Sequence, residues 1–191
     1  SSGGAVDLVR QAKAKGLPVT CEVAPHHFTL TEEACRNYDT NAKMSPPLRT
    51  NEDIDMIKEG IRDGTIDIIA TDHAPHTAQE KALPFPEAPM GIVGLETAVG
   101  HTLTRLLHGG VLDIAAVIDR WSVAPARIFQ LAGGRLRVGD VADVTLLDLN
   151  QTWTVDSSRF QSKSANTPFD GQLMRGRAVG TIVGGRVVHP L

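Results

Sequence analysis

Aromatic side chains are scarce in this sequence. Five phenylalanines, two tryptophans and one tyrosine make 4% of 191 residues, too few for the stacking platforms on which bases rest. Cysteine is scarcer still. Cys21 and Cys35 lack the C-x-x-C spacing of a zinc site or redox pair, and two thiols do not make a disulfide scaffold, so both are expected free. No apolar run approaches the roughly 18 to 20 residues of a membrane span. Basic charge is in no excess: 19 Lys and Arg stand against 22 Asp and Glu, a net charge of −3, and they are interspersed. That excludes the basic stripe of a nucleic-acid binder. The opening "SSGGAVDLVR" has neither the basic n-region nor the long apolar h-region of a signal peptide, and a cytoplasmic protein is expected.

What is present is an ordinary globular composition, 41% hydrophobic and 21% charged. Ala5, Leu8, Val9 and Ala12 fall at helical spacing over 5–15, with Gly16 placed to end the helix. "LPVTCEV" (17–23) reads as a strand. Asn51 is the expected N-cap of a helix carrying Ile54, Ile57 and Ile61 on one face, with Gly64 beyond its end. "TIDIIAT" (65–71) reads as a buried strand. Residues 77–91, broken by Pro84, Pro86, Pro89 and Gly91, read as an irregular functional loop. Helices are expected from Leu95 to Leu106, over 113–120, and over 122–131 with Ser122 as N-cap. The pattern is α/β with parallel strands over residues 1–132. From Gly133 onward β-branched residues alternate between glycine turns, so 133–191 reads as a small β-rich unit.

The α/β portion holds too few strands for a closed (β/α)8 barrel, which takes about 250 residues. In such barrels chemistry sits where strands end. "ATDHAPH" (70–76) has that context. Asp72 follows the apolar run directly, and Pro75 prevents the segment from continuing as strand. A carboxylate there can bind a cation or take a proton from water, and His73 and His76 add neutral nitrogen ligands or hydrogen-bond donors. "EVAPHHF" (22–28) places Glu22, His26 and His27 after the other strand, as hydrogen-bonders or as ligands. In "NAKMSPPLRT" (41–50), Arg49 either clamps a carboxylate or forms a surface ion pair.

Three segments together, "EVAPHHF", "KMSPPLR" and "ATDHAPH" followed by "EKALPFPEAPMGIVGLET", resemble the C-terminal half of a class I dihydroorotase of the amidohydrolase superfamily, and the likeness extends to "NTPFDGQLMRGRAVGTIVGGRVV". The resemblance implies the C-terminal part of a distorted TIM-type barrel plus strands of a small β-sandwich. It implies reversible cyclisation of N-carbamoyl-L-aspartate to (S)-dihydroorotate in pyrimidine biosynthesis, with one or two zinc ions per complete protomer. Asp72 would be zinc ligand and general base. His76, Met90, Gly91 and Ser45 would meet the substrate, although Ser45 stands where many relatives carry asparagine and reaches less far.

The family's H-x-H motif and its other ligands have no counterpart among the seven histidines. The expectation is therefore a fragment that needs the missing N-terminal half of the enzyme, binds zinc weakly alone and does not turn over. A homodimer is expected, with aspartate transcarbamoylase as a further partner. Two other readings share the fold: an inactive dihydroorotase-like scaffold subunit for that transcarbamoylase, and a hydantoinase or allantoinase. The remaining notable residues are expected to be structural. His101 should be packed or at the surface, and His108 a helix C-terminal cation. Trp121 and Phe129 should be core, and Asp143 and Asp148 strand caps.

Overall fold

The computed structural model describes residues 1–189; the last two residues of the expected 133–191 unit lie outside the described residues. Helix α1 (Gly3–Ala14) starts because the Ser2 side chain accepts the Ala5 N–H, and Gly16 leaves it with φ +73°. Helix α2 (Asn51–Arg62) is capped by Thr50 instead of the expected Asn51. Thr50 and Asp53 satisfy each other's backbone donors, which puts Asn51 inside the first turn. Ile54, Ile57 and Ile61 are buried on its inner face as the periodicity predicts. The two helices pack closely where α2 has no side chain: a Cβ on Gly60 would lie 2.7 Å from Val6 Cγ1.

Two parallel strands lie at the centre of this part. Strand β1 (Glu22–Val23) pairs with β2 (Ile68–Ile69), Glu22 opposite Ile68 and Val23 opposite Ile69. Both ladders are shorter than the apolar runs suggest. Leu17 and Val19 remain 52% and 36% exposed, and Pro18 between them has no N–H to donate. The register is held from one side by Asp67, which accepts the Cys21 N–H at 2.8 Å and pairs with Lys13 at 2.7 Å.

The loop after β2 is not wholly irregular. Thr77 and Glu80 form a second capping box, and one helical turn, α3 (Ala78–Lys81), results. Helix α4 (Leu95–Thr102) continues through a π-helical turn over Leu103–Leu107. Helices α5 (Ile114–Ile118) and α6 (Ala124–Ile128) are joined by another π-helical turn, Asp119–Val123, so Ser122 sits inside a continuous helical run and caps nothing. Trp121 packs against the main core and donates its indole N–H to Thr102 Oγ1 at 3.0 Å. Phe129 does not join that core. It falls at the end of α6, where the helix stops, and is 60% exposed.

Beyond residue 143 the strands are antiparallel: β3 (Val144–Thr154), β4 (Leu173–Val183) and β5 (Arg186–His189) lie in the order β3-β4-β5. Asp143 accepts the Gly184 N–H ahead of β3. Asp148 caps no strand end; it lies within β3 at a register shift, where its carboxylate takes the N–H groups of Asn150 and Gln151. The sheet docks on α4 through close approaches. A Cβ on Gly100 would lie 2.5 Å from Met174 Sδ, and one on Gly176 2.6 Å from Leu103 Cδ1. His108 donates from Nε2 to Leu149 O at 2.7 Å, so it ties β3 to the helical layer in addition to ending a helix.

Candidate active site

Because β1 and β2 are parallel neighbours, the loops that leave them emerge side by side. After β1, Pro25–Phe28 forms a 3-10 turn whose four residues are all buried, His26 and His27 included. Their rings meet edge to face, centroids 4.2 Å apart. His27 Nε2 lies 2.9 Å from Pro46 O, so it holds the turn that carries Ser45, which is exposed. His26 has no such partner. Its Nε2 is buried without a hydrogen bond, and the nearest carboxylate, Asp72 Oδ2, is 3.8 Å away. Burial first, then the neighbouring His27 and His101, push the His26 pKa down to about 3. The ring is therefore neutral, and its approach to Asp72 is not an ion pair.

Asp72 leaves β2 in the left-handed region, φ +48°, a conformation that aspartate tolerates better than most residues. Its side chain is half exposed at the strand end. His73, expected as a ligand or hydrogen-bond donor, has one ring nitrogen engaged locally. Its Nδ1 accepts the N–H groups of Gly94 at 3.0 Å and Leu95 at 3.4 Å, and so caps α4. His76 reaches the proline-rich loop: its Nε2 lies 2.9 Å from Met90 O. Met90 itself is exposed. Gly91 follows with φ +111°, where an added Cβ would lie 2.5 Å from that of Ala74. Only glycine fits there. Its N–H donates to Lys43 O at 2.9 Å and its carbonyl accepts from Asn166, leaving that oxygen a second lone pair.

Asp72 thus lies beside the His26 turn without a hydrogen bond to it, and His76 is joined to Met90. Gly91 is joined to Lys43, two residues before Ser45. Arg49 is the exception: it is exposed, and its Nε faces Ser1 Oγ at 3.5 Å rather than a carboxylate. Two lysines missed in the sequence lace the same loops. Lys43 donates to the carbonyls of Phe85, Pro86 and Ala88, and the buried Lys81 donates to those of Thr40 and Pro89. Asn166 was missed as well, being 75 residues from Gly91 and 92 from Ala74. It opens the segment "NTPFDGQ" that carries the likeness, but nothing in that segment reports these distant contacts.

The donor set bears on zinc. Among the described residues no three His, Cys, Asp or Glu side chains gather into a metal-holding group. Catalytic zinc sites take three protein ligands plus water. The side chains of this chain alone therefore do not fit the ion.

The chain matches the amidohydrolase family over residues 1–188. It is 52% identical to the dihydroorotase of Geobacter metallireducens over 189 residues, 99% of this chain and 44% of that protein. It is also 52% identical to that of Pelotomaculum thermopropionicum, over 98% of this chain and 44% of the relative. The chain thus spans less than half the length of these curated relatives. Among solved structures, an L-hydantoinase from Arthrobacter aurescens superposes over 100% of this chain and 43% of its own with a TM-score of 0.94 at 32% identity. An inactive dihydroorotase-like domain of a Chaetomium thermophilum CAD-like multifunctional protein covers 100% of this chain and 49% of its own, with a TM-score of 0.73 at 22% identity, a likeness of fold alone. The α/β part is thereby a portion of a TIM-barrel-type hydrolase fold, with the antiparallel strands fitting its C-terminal end. With its strand-end carboxylate and the match along nearly all its length, the chain belongs to the amidohydrolase family.

Proposed function

We propose that this chain is the C-terminal half of a dihydroorotase, in which residues 1–132 are barrel and the remainder belongs to a small β-rich domain. The observation that carries the reading is the placement of Asp72 at the mouth of two parallel strands, in a chain about half identical to proteins named dihydroorotase. In the hydrolytic direction water adds across the ring amide: the carbonyl carbon gains the oxygen, the C–N bond breaks, and the nitrogen gains a proton. Asp72 takes the proton from the attacking water and gives it to the departing nitrogen; cyclisation runs the same transfer backwards. His76 and the Met90–Gly91 backbone hold the substrate beside it, with Ser45 at the edge. Zinc belongs to a site completed by donors outside this chain, and no step is assigned to it here. The same reading has the assembled enzyme cytoplasmic and homodimeric, with aspartate transcarbamoylase as the candidate partner.

The test is a hybrid in which this chain replaces the matching 44% of the Geobacter metallireducens protein. The expected result is interconversion of N-carbamoyl-L-aspartate and dihydroorotate, lost with Asp72→Asn. A hybrid that folds and holds metal yet leaves dihydroorotate untouched would sink the reading. Hydrolysis of hydantoin instead would move the chain to the hydantoinase reading, which the L-hydantoinase likeness fits at 32% identity, below the 52% of the dihydroorotase match.

A further inference from the structure

We infer that Asn166, from the segment between β3 and β4, is a positioning residue that sets the distance between His76 and the Met90–Gly91 loop. The inference rests on the substrate-holding role proposed above for those residues. Asn166 is 7% exposed, and its amide uses both N–H donors and accepts once at its oxygen. Nδ2 donates to Ala74 O at 3.0 Å and to Gly91 O at 3.2 Å, while Oδ1 accepts the His76 N–H at 3.0 Å. Its own carbonyl accepts the Val93 N–H at 3.0 Å. Two donors and one acceptor are needed on one planar group, at the reach of a single methylene. Asparagine alone supplies them: aspartate would turn oxygen toward two carbonyls, and alanine would take the partner from three backbone groups, the buried Gly91 carbonyl among them.

The segment that presents Asn166 is itself anchored. The Ser162 N–H donates to Glu96 Oε1 at 2.9 Å, and the Phe169 ring packs at a 54° tilt against the buried His101 ring, centroids 3.9 Å apart. The tail thereby reaches past α4 and clamps two loops that belong to the barrel part. None of the Asn166 side-chain hydrogen bonds is to Asp72. Its removal should therefore spoil substrate binding more than proton transfer.

The experiment uses the full-length polypeptide or hybrid carrying this chain, with Asn166→Asp, Asn166→Ser and, as reference, His76→Ala. Steady-state rates on dihydroorotate, metal content and thermal melting are measured together. The expected result for the Asn166 variants is KM raised about tenfold or more, kcat within about threefold of the parent and metal content unchanged. Partial unfolding alone would lower kcat with the active fraction and leave KM where it was, and that outcome would overturn the inference. Failure of both Asn166 variants to fold would overturn it too, since Asn166 would then be a folding element. A parent that does not act on dihydroorotate, or a His76→Ala variant with unchanged KM, indicts the functional reading instead.

Discussion

The loops at the mouth of β1 and β2 and the sheet β3–β5 are built on opposite terms. At the mouth, most of the polar side chains described are spoken for: His27 holds Pro46, His73 caps α4, and Asn166 satisfies three backbone groups, while the buried His26 Nε2 is an exception. In the sheet, apolar groups are left outside. Leu173, Val183, Val187 and Val188 are more than half exposed, and no residue of β3 is buried. Buried hydrogen bonds fix geometry because breaking one costs the full desolvation of its partner. Exposed apolar side chains fix nothing until something covers them. The mouth is a place where position is specified; the sheet is held by a few close approaches to α4.

The sharpest separation of the two regions comes from Asp72. Asp72→Asn keeps the side-chain size and the tolerance for φ +48°, and the group is half exposed, so the fold should not notice it. In the full-length enzyme kcat for dihydroorotate should fall about 10³-fold with the melting temperature unmoved. Gly176→Ala should do the reverse. Its φ of +92° and the 2.6 Å approach to Leu103 mean that a methyl group strains the backbone and pushes β4 off α4. We expect a loss of about 2 to 4 kcal/mol by chemical denaturation, with KM and kcat of the folded fraction unchanged. If both substitutions damage stability and activity alike, the two regions are not separable.

A third prediction concerns acid. His101 is buried against Phe169, and burial first, then Arg105, push its pKa down to about 3 from 6.5. The unfolded chain takes up a proton near pH 6.5 that the folded chain refuses until about pH 3. Stability is therefore complete above that window and falls on acidification by about 1.4 kcal/mol per pH unit for this residue. His101→Leu removes an unpartnered buried nitrogen and should make the acid limb shallower by that amount. An unchanged slope in denaturation curves at pH 5 and 6.5 would mean that the ring takes its proton in place.

These residues also show what a sequence can and cannot tell. Helix α2 was legible because its isoleucines repeat with the helical period, but its cap was misplaced by one: Asn51 and Thr50 are both good caps, and only the reach of Asp53 decides between them. The strand-end position of Asp72 was legible because the apolar run before it marks β2 and Pro75 stops the segment behind it. The cap that His73 Nδ1 provides was not legible, since the N–H donors it accepts from, Gly94 and Leu95, lie 21 and 22 residues on. Asn166 was invisible for the same reason at larger separation. Phe129 has core spacing, yet the helix ends beneath it. Periodicity reports a face and a local motif reports a type; neither reports contacts closed by tertiary structure.

The smallest expected effect probes the exposed sheet face itself. Val187→Thr on β5 exchanges a methyl for a hydroxyl of nearly equal size, keeps the β-branched backbone preference, and alters a side chain that is 59% exposed. Its effect on the stability of this chain should stay within about 0.5 kcal/mol. Met174→Thr, at a residue 2% exposed and packed against Gly100, removes a buried thioether and should cost about 2 to 4 kcal/mol. Measured as a pair, the two substitutions ask whether β5 contributes to the core at all. A Val187→Thr cost approaching that of Met174→Thr would mean that the β5 face is covered in solution, and the contrast between mouth and sheet would then be one of partners rather than of design.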